Sequence, residues 1–180
     1  MRKYIMFFVK LLIAYGLSMV LYAIVFSTAA AQAADNDAAA IAEGLLGMFG
    51  LLAFLVFNAV LIVQFIKDST LRREFQQATI GVTQTAADYL RYTLREMLIF
   101  CAVYALFQLP YCIFYGAFGY DHVNAIFVDQ FFVMSAGFYR LCGGNGYVGL
   151  AVSALLFGAV QLGARALILR RWDANRLRHC

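Results

Sequence analysis

The stretch FVDQFFVMSAGFYRLCGGNG, residues 127–146, decides how this chain is arranged, because it is apolar enough for a membrane and yet carries two charges. Asp129 stands near one end of it and Arg140 near the other. Three interpretations compete: a membrane span, a re-entrant half-helix with an ion pair, and a helix on the surface. The first of them would move every later residue to the other side of the membrane.

The composition of the whole chain excludes a soluble domain. Of its 180 residues, 64% are hydrophobic and 13% are charged, whereas soluble domains are about half apolar and about a quarter charged. Four apolar runs have the length that a helix needs to cross a bilayer, at about 4–26, 44–66, 97–118 and 147–169. We therefore expect an all-α fold, a single membrane domain over residues 1–180 that forms a four-transmembrane-helix bundle.

The basic residues predict the orientation of these spans. Lys and Arg are retained on the cytoplasmic side of a membrane, and with both termini cytoplasmic only Arg140 of the 14 basic residues lies outside. A fifth span over residues 127–141 would put the basic tail at 170–180 outside, against this rule. The predicted location is the plasma (inner) membrane, with the lipid bilayer as partner and anionic lipid headgroups as a candidate partner of the tail.

The N-terminus leaves an alternative open, since residues 1–33 have features of a cleaved signal peptide. A basic start, an apolar stretch and Ala-Gln-Ala before Ala34 fit such a peptide. Against it, the apolar run is longer than the usual core of about 7–15 residues, and Lys10 interrupts it. We favour an uncleaved first span, and the later spans keep their orientation in either case.

The segment at 67–96, between the second and third spans, is predicted to be a cytoplasmic helical hairpin. Its first half has one apolar face, which comprises Leu71, Phe75, Ala78 and Val82. The second span is expected to run on into this segment and turn near Gly81. The chain then restarts at Thr85, which forms a capping-box pattern with Asp88. The alternative is a basic amphipathic helix on the inner leaflet.

Polar residues inside the spans are few. Lys10 and Arg165 lie near the inner interface, where long side chains reach the headgroups. The candidates for a polar pathway or for helix contact are Asn58, Gln108, Pro110 and Gln161. Buried amides usually bond neighbouring helices, at about 0.6 kcal/mol each. Pro110 is expected to kink the third span and to free the carbonyl of Leu106, which Gln108 is placed to bond.

Small residues mark the faces on which two helices can approach closely. In the second and fourth spans these candidate packing faces comprise Gly44, Gly47, Gly50, Gly149, Ser153, Ala154 and Gly158. We expect these two spans to make the tightest contacts, within one chain or between copies.

No catalytic, cofactor or metal site is predicted. The sequence contains no HExxH, GxSxG or Walker-type motif and no CxxC pair. Asp121, His122 and Asp129 are better explained as solvated loop residues than as metal ligands. A disulfide between Cys112 and Cys142 remains open. The cytoplasmic arginines follow from topology, so no nucleic acid is expected as a partner.

These features favour an integral membrane protein that is not an enzyme. The leading hypothesis is an accessory or scaffold subunit that packs against other membrane proteins or against itself, because buried charge is absent from the predicted spans. The alternative is a small oligomeric transporter or channel for an ion or small solute, built around Asn58, Gln108 and Pro110. A membrane-embedded lipid-modifying enzyme ranks third, since no paired acid and base is recognisable.

The stretch that contains Asp129 and Arg140 is then predicted to be a short amphipathic helix on the outer side, within residues 125–141, which lies along the membrane surface or caps the bundle. One face is a ridge of Phe127, Phe131, Met134, Phe138 and Leu141. The opposite face, expected to meet water or polar loops, carries Asp129, Val133, Ala136 and Arg140. One continuous helix would separate the two charges by about 16 Å, so we expect two separate surface charges.

Overall fold

A computed structural model describes residues 2–32, 38–78, 84–118, 128–129 and 132–177. These ranges contain the helices α1 (Arg2–Gln32), α2 (Ala38–Lys67), α3 (Ser69–Ala78), α4 (Ala86–Phe118), α5 (Val133–Leu141) and α6 (Gly146–Leu177). No strand occurs within them. The prediction of an all-α fold is confirmed.

Four of the helices are long and apolar enough to cross a membrane, as the sequence predicts. The candidate spans are Tyr4–Ile24, Gly47–Lys67, Ala86–Phe118 and Gly146–Ala174. Large apolar side chains cover their outward faces, and Leu155 is 73% exposed. Surface of this kind is stable only when something other than water covers it. The chain is therefore a membrane-embedded helical bundle.

The core of the bundle is built mainly from aromatic side chains. In the middle, the rings of Phe7 and Phe100 stack with centroids 4.4 Å apart, and those of Tyr104 and Phe157 stack at 4.8 Å. One end, here named the α3 end, is closed by Phe65, Leu71, Phe75, Tyr89, Leu169 and Trp172. The opposite end, named the α5 end, is closed by Tyr22, Tyr111, Tyr115, Val133 and Ala136.

The sequence predicts that helix α2 runs on into the segment that follows it, but in the structure it does not. It ends at Lys67, and the side chain of Asp68 accepts a 2.9 Å hydrogen bond from the backbone N–H of Leu71. Asp68 thereby caps a separate helix, α3. Leu71 and Phe75 are buried as predicted, Ala78 is exposed, and Gly81 and Val82 lie outside the described residues.

The start of α4 follows the predicted capping box. The helix begins directly after Thr85, whose backbone N–H donates to Asp88 Oδ2 at 2.8 Å. The hydroxyl of Thr85 donates to the same oxygen at 2.6 Å. This cap fixes the end of the chain segment that leads from α3 back into the bundle.

Helix α5 contradicts the prediction of a surface helix, because it is inserted between α2 and α6. Every residue from 133 to 138 is buried, and Val133 and Ala136 of the supposed water-facing side are 0% exposed. Of the predicted ridge, Met134 and Phe138 are buried, whereas Leu141 is 64% exposed. Phe127 and Phe131 lie outside the described residues. Both faces of α5 have protein neighbours, so its polar face does not indicate water.

Glycines make this insertion possible. A Cβ atom on Gly50 would overlap the carbonyl oxygen of Val133 and lie 2.9 Å from the Cα atom of Gly137. On the other side, a Cβ atom on Gly149 would lie 3.0 Å from the carbonyl carbon of Phe138. Helix α5 is therefore packed backbone to backbone against both neighbours.

The small-residue faces of α2 and α6 thus have different partners from those expected. Instead of bringing α2 and α6 together, Gly50 and Gly149 each receive α5. Gly158 faces α4, where an added Cβ atom would lie 3.0 Å from Cys101 Sγ. Of the remaining members, Gly47 adjoins Arg140, Ser153 is buried and Ala154 packs on the core. A Cβ atom on Gly44 would meet nothing within 4 Å among the described residues.

Candidate functional site

Asn58 and Gln161 form a polar link between α2 and α6 in the middle of the bundle. Gln161 donates from Nε2 to Asn58 Oδ1 at 2.9 Å and to the Asn58 carbonyl oxygen at 3.1 Å. Asn58 in turn donates from Nδ2 to the carbonyl oxygen of Phe54 at 2.9 Å. The two side chains are 3% and 0% exposed, so the amides face each other rather than an open space.

Gln108 joins three helices at a second polar position. Its Oε1 accepts hydrogen bonds from the hydroxyls of Ser135 in α5 and Ser153 in α6, both at 3.2 Å. The hydroxyl of Tyr15 lies 3.3 Å from Ser135 Oγ and brings in α1. The sequence identified Gln108 but not its serine and tyrosine partners, which come from distant parts of the chain.

Pro110 lies on the exposed side of α4, away from this polar cluster, and the helix is continuous through it. The expected hydrogen bond from Gln108 to the carbonyl of Leu106 is not formed. The Nε2 of Gln108 has no partner among the described residues. The structure thus brings Gln108 together with two serines and not with the backbone freed by Pro110.

Asp129 and Arg140 form an ion pair, which corrects the prediction of two separate surface charges. Arg140 Nη2 lies 3.6 Å from Asp129 Oδ2. The hydroxyl of Tyr111 donates to Asp129 Oδ1 at 3.0 Å, and the hydroxyl of Tyr115 donates to the same oxygen. Asp129 is 3% exposed. It therefore ties the segment before α5 both to α4 and to α5.

The error came from assuming one continuous helix. Helix α5 begins at Val133, and Phe132 before it has the non-helical backbone angles φ −102° and ψ 44°. The single continuous helix is therefore interrupted at Phe132, and Asp129 lies beside Arg140 instead of about 16 Å from it. Burial raises the pKa of the Asp129 carboxyl, while the tyrosine hydrogen bonds and the charge of Arg140 oppose that rise.

Asp129 is thus buried and not a solvated loop residue as predicted. Asp121 and His122, for which the same prediction was made, lie outside the described residues. Cys112 and Cys142 are free thiols, and Cys112 donates its S–H to the carbonyl oxygen of Gly146 at 3.2 Å. The disulfide left open by the sequence is not formed.

A charged cavity of about 320 Å³ lies at the α3 end, and the sequence did not reveal it. Its polar lining comes from four parts of the chain and comprises Lys10, Gln64, Asp68, Glu96 and Arg165. Their sequence spacing carries no signal, because only the packing of α1, α2, α4 and α6 brings them together.

Arg165 occupies the inner wall of this cavity. It donates from Nη1 to Glu96 Oε2 at 2.9 Å, and its guanidinium lies 4.6 Å from the ring centre of Phe65 and 5.5 Å from that of Phe100. The side chain is 5% exposed. The sequence predicts that Arg165 extends to the headgroups. It does not, because a carboxylate and two aromatic faces hold it inside the bundle.

Comparisons with protein-family models, with curated proteins and with solved structures gave no match for this chain.

Proposed function

We propose that this chain is a non-catalytic membrane protein, an accessory or scaffold subunit that packs against partner membrane proteins or against copies of itself. The observation that carries the proposal is the pairing of the deep amides. Gln161 bonds to Asn58, and Gln108 accepts from Ser135 and Ser153. A solute pathway needs polar groups that face water, whereas these groups stabilise contacts between helices.

The two ion pairs support the same proposal, although the sequence predicted no buried charge. Arg140 with Asp129 and Arg165 with Glu96 lie at opposite ends of the bundle. A proton or ion relay uses ionisable groups spread through the depth of the membrane. Here each pair instead fastens neighbouring elements to each other.

For orientation, we propose four membrane crossings with both termini in the cytoplasm and the α3 end facing inward. The α3 end carries the basic residues Lys67, Arg72, Arg73, Arg91, Arg95, Arg170 and Arg171, while Arg140 lies at the α5 end. The test uses a chain without its native cysteines. A cysteine at Leu141 should react with a membrane-impermeant maleimide in intact cells, and one at Gln77 only after lysis. The reverse pattern would contradict this orientation.

Two measurements test the scaffold proposal. Purified protein in mild detergent is expected to retain a membrane-protein partner or to run as a stable oligomer in light-scattering chromatography. In liposomes it is expected to add no ion or solute flux. The transporter or channel alternative would be established by a flux that is lost in Asn58→Leu or Gln108→Leu and is retained in Ser18→Ala. A strictly monomeric protein without partners would refute the scaffold.

A further inference from the structure

The charged cavity at the α3 end adjoins a second cavity. This one is an apolar groove of about 430 Å³ between α1 and α2, lined by Ile13, Leu17, Leu21, Leu52, Val56 and Val60. Lys10 and Gln64 line both spaces. A polar compartment and an apolar compartment therefore meet at the pair that Lys10 and Gln64 form, where the Lys10 ammonium donates to Gln64 Oε1.

The groove has the properties of a binding site for an acyl chain. Beyond Lys10 and Gln64 its polar side chain is Ser18, whose hydroxyl already donates to the carbonyl oxygen of Ala14 at 2.7 Å. From Lys10 to Leu21 the groove follows α1 for about 16 Å. Its volume falls in the range of small-molecule sites, about 300–1,000 Å³. Both walls belong to candidate membrane spans, so lipid has direct access to it.

Lys10 is the cation of the polar compartment that would accept an anionic partner. Glu96 is paired with Arg165, and Asp68 accepts from the backbone of α3. Lys10 contacts a neutral amide and has no carboxylate partner among the described residues. A phosphate group beside Lys10 would give that ammonium a charged acceptor.

We propose that this site binds a glycerophospholipid, with its phosphate at Lys10 and one acyl chain along the groove between α1 and α2. The ligand is a structural lipid held in a defined position, distinct from headgroups that meet the basic tail. The inference does not depend on the scaffold proposal, since it concerns one chain and requires no protein partner.

The first experiment measures retained lipid. Protein purified in mild detergent is analysed by native mass spectrometry and by phosphate content, and we expect about one phospholipid per chain for a single site. Lys10→Gln and Val56→Trp should each lower retention several-fold. The matched controls are Lys67→Gln, an exposed lysine near the same end, and Leu55→Trp, an exposed neighbour outside the groove.

The second experiment separates the phosphate from the chain. Delipidated protein is heated with phospholipid, with diacylglycerol or with inorganic phosphate, and unfolding is followed by the fluorescence of the single tryptophan, Trp172. Phospholipid should raise Tm most. In the Lys10→Gln variant, phospholipid and diacylglycerol should raise Tm by the same amount, because the partner of the phosphate is gone.

Three results would overturn the proposal. One is equal lipid retention in the two site variants and the two controls. Another is an equal effect of phospholipid and diacylglycerol on the wild-type protein. The third is protection by inorganic phosphate as strong as that by phospholipid, which would indicate an anion site. A variant whose helical circular-dichroism spectrum differs from that of the wild type is replaced by Lys10→Met or Val60→Trp, so that a folding defect is not mistaken for lost binding.

Discussion

Arg140 Nη2 lies 3.6 Å from Asp129 Oδ2, although a continuous helix would hold these residues about 16 Å apart. The turn before Val133 closes that distance and points Asp129 at the hydroxyls of Tyr111 and Tyr115. The ion pair and its tyrosines thus fix the entry of α5 into the bundle.

Asp129 should make the stability of the protein depend on pH. Burial raises the pKa of the Asp129 carboxyl. The contribution of this group to the free energy of unfolding is therefore fully present below the ordinary carboxyl pKa of about 3.9, and it is lost as the pH rises through the raised value. We expect Tm to fall across this window. Asp129→Asn should remove that part of the fall, and Tyr115→Phe should move the window to higher pH. The exposed control Glu74→Gln should keep the wild-type dependence of Tm on pH. An unchanged dependence in Asp129→Asn would refute the assignment of this fall to Asp129.

Gly50→Ala should destabilise the bundle by about 1–3 kcal/mol, the usual cost of overpacking. The added methyl group meets the backbone of Val133 and Gly137, which cannot rotate away. Gly44→Ala in the same helix is the matched control, since a Cβ atom there meets no described residue within 4 Å. That control should be neutral or stabilising by up to about 1 kcal/mol. Unfolding in detergent with increasing denaturant measures both, and equal values would contradict the packing of α5.

A double-mutant cycle on Asn58 and Gln161 should give a coupling energy of about 0.6–1.7 kcal/mol. Gln161→Leu should lower the free energy of unfolding more than Asn58→Leu does. In Asn58→Leu the backbone carbonyl oxygen at this position remains as a second acceptor for Gln161. Ser18→Ala combined with Asn58→Leu serves as the control pair. Ser18 bonds within its own helix, so this combination should be additive. A coupling energy of zero between Asn58 and Gln161 would mean that their contact adds nothing to the stability of the bundle.

Phe75→Ala should detach α3 from the bundle. Phe75 is 1% exposed and packs in one cluster with Trp172, and truncating a buried phenylalanine costs about 3–5 kcal/mol. Loss of this docking should shift the emission of Trp172 to longer wavelength. Gln77→Ala, an exposed change in the same helix, should leave the emission as it is. A spectrum unaffected by Phe75→Ala would show that Trp172 is buried without help from α3.

The sequence predicts the four long helices and the capping box at Thr85 because those features depend on local composition and spacing. It also identifies Asn58, Gln108 and Gln161 as polar residues within apolar runs. It cannot supply their partners: Ser135 reaches Gln108 only once α5 is inserted. The face of α5 with Val133 and Ala136 was assigned to water because helical periodicity separates polar from apolar residues, not water from protein. The cavity around Lys10 escaped detection for a related reason, since its lining comes from four helices.

The slot for α5 also constrains the order in which the protein can be assembled. One wall of the slot contains Gly50, which is synthesised before α5, but the other contains Gly149, which leaves the ribosome after it. The slot is therefore complete only once α6 has been made, and α5 cannot make both of its backbone contacts before then. A chain that ends before α6 leaves uncovered the face of α5 that packs on Gly149.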